Sequence, residues 1–165
     1  MTKARNIVIS IVVCFTLLQA LKYCVAQTFH VVSNAMSPTL QGRDSGHCGD
    51  YIVVEKIAYR FREPQKGEIV LFNTKGLSNP SLNPNVHYLR RIAGVPGETV
   101  IIKNEKKQLS DNEFLISGDS PENGIEIGPI SRDNIMGRAI CIYFPFDRLG
   151  KIEASRSDLH IQQMK

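Results

Sequence analysis

The chain has 165 residues, of which 42% are hydrophobic and 22% charged, and its formal net charge is +4. This composition is ordinary for a folded domain and excludes a disordered or low-complexity chain. The basic balance is mild and no run of about five consecutive Lys and Arg residues occurs, so nucleic acid is not an expected partner.

The N-terminal segment predicts a single transmembrane anchor. Lys3 and Arg5 precede an apolar stretch from Ile7 to Leu21. With the residues just beyond Lys22, it reaches roughly the 20 residues that a helix needs to cross a bilayer. The positive charges predict a cytoplasmic N-terminus, with the rest of the chain on the extracytoplasmic side. A cleaved signal peptide is the alternative, with Cys24-Val25-Ala26 as a passable cleavage site.

Short β-rich runs separated by Gly and Pro turns follow this segment. The predicted strands are Thr28–Val32, Tyr51–Glu55, Glu68–Phe72, Tyr88–Ala93, Thr99–Lys103, Glu113–Ser117 and Arg138–Phe144. Many short strands with frequent turns predict a mainly β fold, an antiparallel sandwich or irregular barrel. The expected organisation is an N-terminus and anchor over 1–27, a β domain over 28–150, and a polar tail over 151–165.

The cysteines do not form a metal-binding pattern. Cys14 and Cys24 lie in or beside the apolar segment, whereas Cys48 and Cys141 are far apart in sequence. The latter two could pair in an oxidising compartment, a point that the sequence leaves open. No CxxC or His/Cys ligand spacing occurs, so we expect no metal and no cofactor.

Four motifs occur in order along the β region. They are Ser33-Asn34-Ala35-Met36-Ser37-Pro38-Thr39-Leu40; Gly49-Asp50-Tyr51 with Lys66-Gly67-Glu68-Ile69-Val70; Tyr88-Leu89-Arg90-Arg91-Ile92-Ala93-Gly94-Val95-Pro96-Gly97-Glu98; and Gly118-Asp119-Ser120 with Gly137-Arg138-Ala139. In this order they resemble the conserved boxes of the type I signal peptidase family. That family cuts signal peptides from exported precursors with a Ser/Lys dyad and has an anchor upstream of its first box. The resemblance implies a signal-peptidase-like β fold at the outer face of the cytoplasmic membrane.

The resemblance places the catalytic roles on residues that cannot perform them. Ala35 occupies the nucleophile position, and a methyl group cannot attack a carbonyl. Arg90 occupies the general-base position, and a guanidinium stays protonated at accessible pH. Ser33 matches the family position whose hydroxyl assists the oxyanion hole. Met36 and Pro38 fall at substrate-binding positions.

The last motif also departs from the family pattern. Gly124 stands near the position of a supporting serine and Glu126 near that of an aspartate. Two substitute nucleophiles remain open. Ser37 would share a face with Ala35 if the segment were extended, and Cys48 follows His47. Arg90 provides no base for Ser37.

The leading hypothesis is therefore a catalytically inactive homologue that binds extended signal-peptide-like segments. Its expected partners are exported preproteins or signal peptides, the lipid bilayer and an active signal peptidase. One alternative is a serine endopeptidase that removes signal peptides, either active through other residues or deliberately inactivated; the eroded last motif favours natural loss. The other is a membrane-tethered structural or assembly module whose groove is closed by Arg90.

Overall fold

One helix and ten strands form the chain in the computed structural model, which describes residues 2–43, 48–77, 82–84, 86–102, 105–121 and 127–153, with the backbone alone at 2, 4 and 20–24. The helix α1 spans Thr2–Val25. The strands are β1 Ala26–His30, β2 Tyr51–Glu55, β3 Ile69–Phe72, β4 Tyr88–Gly94, β5 Thr99–Ile102, β6 Glu105–Gln108, β7 Glu113–Ser117, β8 Gly128–Ser131, β9 Ile135–Phe144 and β10 Gly150–Lys151. Outside the described residues lie His47, Gly124, Glu126 and the tail from 154 onward.

The strands form a mainly antiparallel β fold, as the sequence predicts. The larger sheet has the order β1-β2-β9-β3-β4-β7-β8, with β10 paired to β9, and β5 and β6 form a separate hairpin. The central pairs β3–β4 and β3–β9 are antiparallel. This arrangement places β4, which carries Arg90 and Arg91, inside the sheet between β3 and β7.

The apolar N-terminal segment forms α1, and its large side chains face outward. Ile7, Phe15 and Leu17 are 60–64% exposed. Among the described residues, no helix combines the length and apolar character that a bilayer crossing requires. The predicted transmembrane anchor therefore stays a prediction.

Alternation along the central strands divides the buried apolar residues between two main clusters. The first contains Met36, Leu40, Ile69 and Leu71, with Leu89 packed against it. The second cluster lies on the other face of these strands. Its buried members are Tyr59, Val70, Phe72, Ile92, Phe114, Ile116, Ile130 and Ile135. Because neighbouring residues of a strand point to opposite faces, Arg90 lies on the face of Val70 and Ile92, whereas Arg91 lies on that of Leu89.

A buried carboxylate links the strands on the second face. Glu68, 4% exposed, accepts hydrogen bonds from Tyr59 Oη at 3.0 Å, from Arg62 Nη2 at 2.6 Å and from Arg138 Nη1 at 3.0 Å. Burial alone would raise the pKa of Glu68, but hydrogen bonds from Arg62, the Gln65 backbone and Arg138 hold it below its ordinary value. The carboxylate therefore remains ionised within a network of partners.

The structure answers the question of the distant cysteines. Cys48 and Cys141 are both free thiols. Cys141 lies within β9 opposite Val53 of β2, while Cys48 precedes β2 and is exposed. One thiol therefore lies within a strand and the other in a loop, and no disulfide joins them.

Candidate functional site

Ala35, which the resemblance places at the nucleophile position, lies in a short 3-10 turn, Asn34–Met36, which we call the motif turn. Ser33 caps this turn, because its Oγ accepts a hydrogen bond from the Ala35 backbone N–H at 3.2 Å. Asn34 Oδ1 accepts from the Gly42 N–H at 2.9 Å, which binds the following loop back onto the turn. The motif turn is therefore held by side chains of the first motif.

Gly42 makes this close approach possible. A Cβ atom at this position would lie 2.4 Å from the Ser33 carbonyl carbon and 2.6 Å from its oxygen. Both contacts are with backbone atoms, which a change of rotamer cannot relieve. The sequence therefore needs glycine here to bring the loop against the motif turn.

Ala35 and Met36 are buried in the turn, at 3% and 1% exposure. The Ala35 carbonyl accepts a hydrogen bond from the Ser120 backbone N–H at 3.2 Å, which joins the first motif to the fourth. Pro38 follows a cis peptide bond and is exposed. The site thus has a methyl group at the position where the resemblance requires a hydroxyl.

Three motifs meet at the carboxylate of Asp119. Arg91 donates to it from Nε at 2.8 Å and from Nη2 at 2.6 Å, and Thr39 Oγ1 donates at 2.6 Å. Arg91 Nη1 also donates to the Gly67 carbonyl at 2.6 Å. We call Thr39, Arg91 and Asp119 the clamp. It connects the first, third and fourth motifs.

The sequence analysis did not single out the clamp, although all three of its residues lie in the quoted motifs. Strand alternation was the signal that could have separated Arg91 from Arg90. The buried position of Arg91 then calls for a carboxylate partner, and Asp119 follows β7, the neighbour of β4.

Arg90 has a different environment from Arg91. It is 9% exposed, and its Nη1 donates to the carbonyl oxygen of Leu89 at 2.8 Å. Its Nε is buried and has no hydrogen-bond partner among the described residues. Burial lowers the pKa of the Arg90 guanidinium, and Tyr88 opposes that change. The group is still a cation at neutral pH, so it cannot accept a proton from a nucleophile.

The motif turn lies against β4, the strand that carries Arg90. Met36 belongs to the first core cluster, and Leu89, the residue before Arg90, packs against the same cluster. Packing thus brings the motif turn beside the strand of the third motif.

The substitute nucleophiles receive little support from the geometry. The extended segment that would place Ser37 on the face of Ala35 is wrong, because Asn34–Met36 is a 3-10 turn and Ser37 N–H bonds to the Asn34 carbonyl at 3.0 Å. Cys48 lines a cavity of about 180 Å³ with Asp50 and Arg148, which are ion-paired at 2.9 Å. His30 Nε2 lies 2.7 Å from the Cys48 carbonyl oxygen.

Ser33 is exposed, and the cap uses one of its lone pairs. Its hydroxyl hydrogen is therefore still available for donation to a carbonyl. No cluster of His, Cys, Asp or Glu able to hold a metal ion occurs among the described residues.

The fold and site define an antiparallel β domain in which the first motif packs against the strand of the third motif. The family profile described as "Signal peptidase, peptidase S26" matches residues 4–116. The signal peptidase I of Leptolyngbya laminosa is 32% identical over 157 residues, covering 78% of this chain and 73% of that protein. The probable signal peptidase I-2 of Synechocystis sp. is 30% identical over 166 residues, covering 83% and 72%.

The signal peptidase I T of Bacillus subtilis is 25% identical over 177 residues, covering 85% of each chain. The chain belongs to the type I signal peptidase family, peptidase S26. The resemblance seen in its four motifs is thereby confirmed.

Proposed function

We propose that this chain is a catalytically inactive signal peptidase homologue that binds extended signal-peptide-like segments without cutting them. The observation that carries the proposal is the pair Ala35 and Arg90 at the nucleophile and base positions. Acyl transfer needs an attacking atom and a group that removes its proton. A methyl group and a guanidinium supply neither.

The surrounding scaffold supports binding. Ala35 still lies in a capped turn, and the clamp still joins three motifs through Asp119. Within the described part of the chain, β1 and β8 end the path of the larger sheet. Such edges offer backbone groups to an extended peptide, which binds by adding a strand.

The location that we propose is the outer face of a cytoplasmic membrane, with α1 as the anchor. Ile7, Phe15 and Leu17 lie on α1 with more than half of each side chain exposed, and such apolar surface is unfavourable in water. Lys3 and Arg5 before this stretch favour a cytoplasmic N-terminus. The bilayer, exported preproteins or their signal peptides, and an active signal peptidase are the partners that this placement implies.

A membrane-tethered module with a closed groove is the second candidate. The observation that favours it is the burial of Arg90, whose Nη1 turns back onto the Leu89 carbonyl. On this proposal, the Arg90 side chain fills space that a peptide would otherwise use. The two candidates differ in whether an extended peptide binds at all.

Anisotropy of a fluorescent signal-sequence peptide, titrated with the full chain in detergent, tests the proposal. We expect saturable binding, and mass spectrometry of the mixture should show the peptide uncut. A peptide with alternate backbone nitrogens methylated is the matched control, since it keeps the side chains but loses ladder hydrogen bonds. Absence of binding by the unmodified peptide would favour the closed module, and a cleaved product would overturn the claim of inactivity.

A further inference from the structure

Phe61 is 84% exposed, a larger fraction than that of any other large apolar side chain that the structure describes. It follows the 3-10 turn Ala58–Arg60, and its backbone N–H donates to the Ala58 carbonyl at 3.1 Å. Tyr59 of the same turn is buried in the second core cluster, which holds the turn on the domain. A single exposed ring is common on protein surfaces, so its surroundings decide what it indicates.

This turn lies at the end of the sheet from which α1 leaves. The Lys56 N–H donates to the carbonyl of Val25, the last residue of α1, at 2.9 Å. Ala26, the first residue of β1, is paired with Glu55, the last residue of β2. Because Lys56 closely precedes the turn along the chain, the turn begins beside the C-terminal end of the helix.

The segment before β9 holds the turn at the same end of the sheet. Arg132 Nη2 donates to the Tyr59 carbonyl at 2.5 Å. Arg132 lies just before β9, which begins at Ile135. β9 is antiparallel to β2 and paired with it through Arg138 and Glu55, so Ile135 lies before that pair, on the α1 side. A second contact therefore places the turn beside the end of the helix.

Lys56 and Arg60 carry positive charge that no carboxylate of the described residues neutralises. The neighbouring arginines are paired: Arg62 with Glu68, Arg132 with Glu63 and Arg138 with Glu55. Arg60 is exposed, and Lys56 Nζ donates to the neutral side-chain oxygen of Gln27. We call Lys56, Arg60 and Phe61 the basic tip. An aromatic ring and basic side chains beside the end of an apolar helix are complementary to anionic lipid headgroups.

We propose that the basic tip docks on an anionic lipid surface, with the Phe61 ring inserted among the headgroups and Lys56 and Arg60 bound to their phosphates. The β domain then rests on the bilayer by the end from which α1 leaves. This inference rests on the proposed function, because that function places α1 in the bilayer. Insertion removes the ring from water, and basic side chains at the same depth are attracted to the anionic surface.

Fluorescence quenching in lipid vesicles tests this inference. The chain has no tryptophan, so Phe61→Trp introduces a single indole emitter at the basic tip. The full chain with this substitution is reconstituted into vesicles of equal parts phosphatidylcholine and phosphatidylglycerol, with or without bromine atoms on the acyl chains, which quench an indole inserted among the lipids. We expect bromination to reduce the emission, and to reduce it less in vesicles of phosphatidylcholine alone.

Phe146→Trp is the matched control at the other end of the sheet. Phe146 is 79% exposed, and its ring lies 5.6 Å from that of Phe144. Phe144 is paired with Tyr51, which begins β2, whereas the basic tip follows Glu55, which ends it. Bromination should leave the emission of the Phe146→Trp chain unchanged.

A second substitution tests the role of the charge. In the Phe61→Trp chain, Arg60→Gln should lower the ratio of docked to undocked domains about fivefold, the usual contribution of one basic residue near an anionic surface. Arg43→Gln is the control, because Arg43 is exposed and its N–H donates to Val32, which lies beyond β1 and away from α1. It should keep the full quenching. Circular dichroism of each variant checks folding.

Vesicle flotation separates this inference from the proposed function. A Phe61→Trp chain that floats with the vesicles but is not quenched would overturn the docking and leave the anchor standing. Quenching of Phe146→Trp equal to that of Phe61→Trp would also overturn it, as would equal quenching with and without phosphatidylglycerol. A chain that does not float with the vesicles would overturn both the docking and the proposed membrane location.

Discussion

Arg91 donates hydrogen bonds from Nε and Nη2 to the two carboxylate oxygens of Asp119, at 2.8 and 2.6 Å. The Arg91 side chain is buried and that of Asp119 is largely buried, with 5% and 12% exposure. Thr39 donates to the same carboxylate at 2.6 Å. The ion pair thus connects β4 to the loop after β7, and the Thr39 hydrogen bond adds the segment after the motif turn, so the first, third and fourth motifs are held together.

Asp119→Asn should be strongly destabilising. The substitution keeps the shape of the side chain but leaves Arg91 buried without a counter-charge, which costs about 3–5 kcal/mol. Urea unfolding followed by circular dichroism measures this loss. Asp133→Asn, at an exposed aspartate, is the matched control and should change the free energy of unfolding by less than about 0.5 kcal/mol. Equal effects of the two variants would contradict the role given to the clamp.

The adjacent arginines should respond in opposite directions to the same substitution. Arg90→Met removes a buried cation with an unpartnered Nε, so we expect the free energy of unfolding to rise by about 1 kcal/mol or more. Arg91→Met removes the partner of Asp119, so we expect it to lower the free energy of unfolding by about 3 kcal/mol or more. Unfolding in urea of both variants beside the native chain checks the pair. A loss of stability in Arg90→Met would show that its guanidinium is compensated.

Glu68 should make the stability depend on acid pH. Its folded-state pKa lies below its ordinary value of 4.5, because hydrogen bonds from Arg62 and Arg138 outweigh the effect of burial. Its contribution is therefore present above the unfolded-state pKa and is lost as the pH falls through the folded-state value. As the pH falls below the ordinary value of 4.5, the native chain should lose stability more steeply than Glu68→Gln. Glu63→Gln, at a carboxylate 76% exposed, should behave like the native chain.

Gly42→Ala should displace the motif turn. The added Cβ would lie 2.4 Å from the Ser33 carbonyl carbon, and overpacking of this kind costs about 1–3 kcal/mol. Gly150→Ala is the matched control, because its nearest atom lies 4.0 Å away. Thermal unfolding measures both. A tolerated Gly42→Ala would mean that the loop can move away from the turn.

The alternation or clustering of apolar residues predicted the strands that line the core. Strands without such a pattern were not predicted. β2 and β7 have the predicted bounds, because each alternates or concentrates apolar residues between turn signals. β6 was missed, since Glu105–Gln108 is exposed along its whole length and reads as a polar turn. β8 was missed because it begins with Gly128 and Pro129.

For the candidate site, the sequence likewise predicted which residues occupy the motif positions but not which side chains pair with each other. The motifs identified the positions of Ala35 and Arg90, because residue types at a fixed spacing carry that information. They did not reveal that Arg91 pairs with Asp119 or that Arg90 has no carboxylate partner among the described residues. Both facts depend on which strands become neighbours, a relation that only the folded sheet contains.

Cleavage of a purified preprotein in detergent tests the central claim most directly, with the native chain compared with Ala35→Ser/Arg90→Lys and with each single variant. We predict no product from the native chain or from either single variant, because each lacks the nucleophile or the base. The double variant has both and should cut at the signal-peptide junction. Cleavage by the native chain would contradict the account.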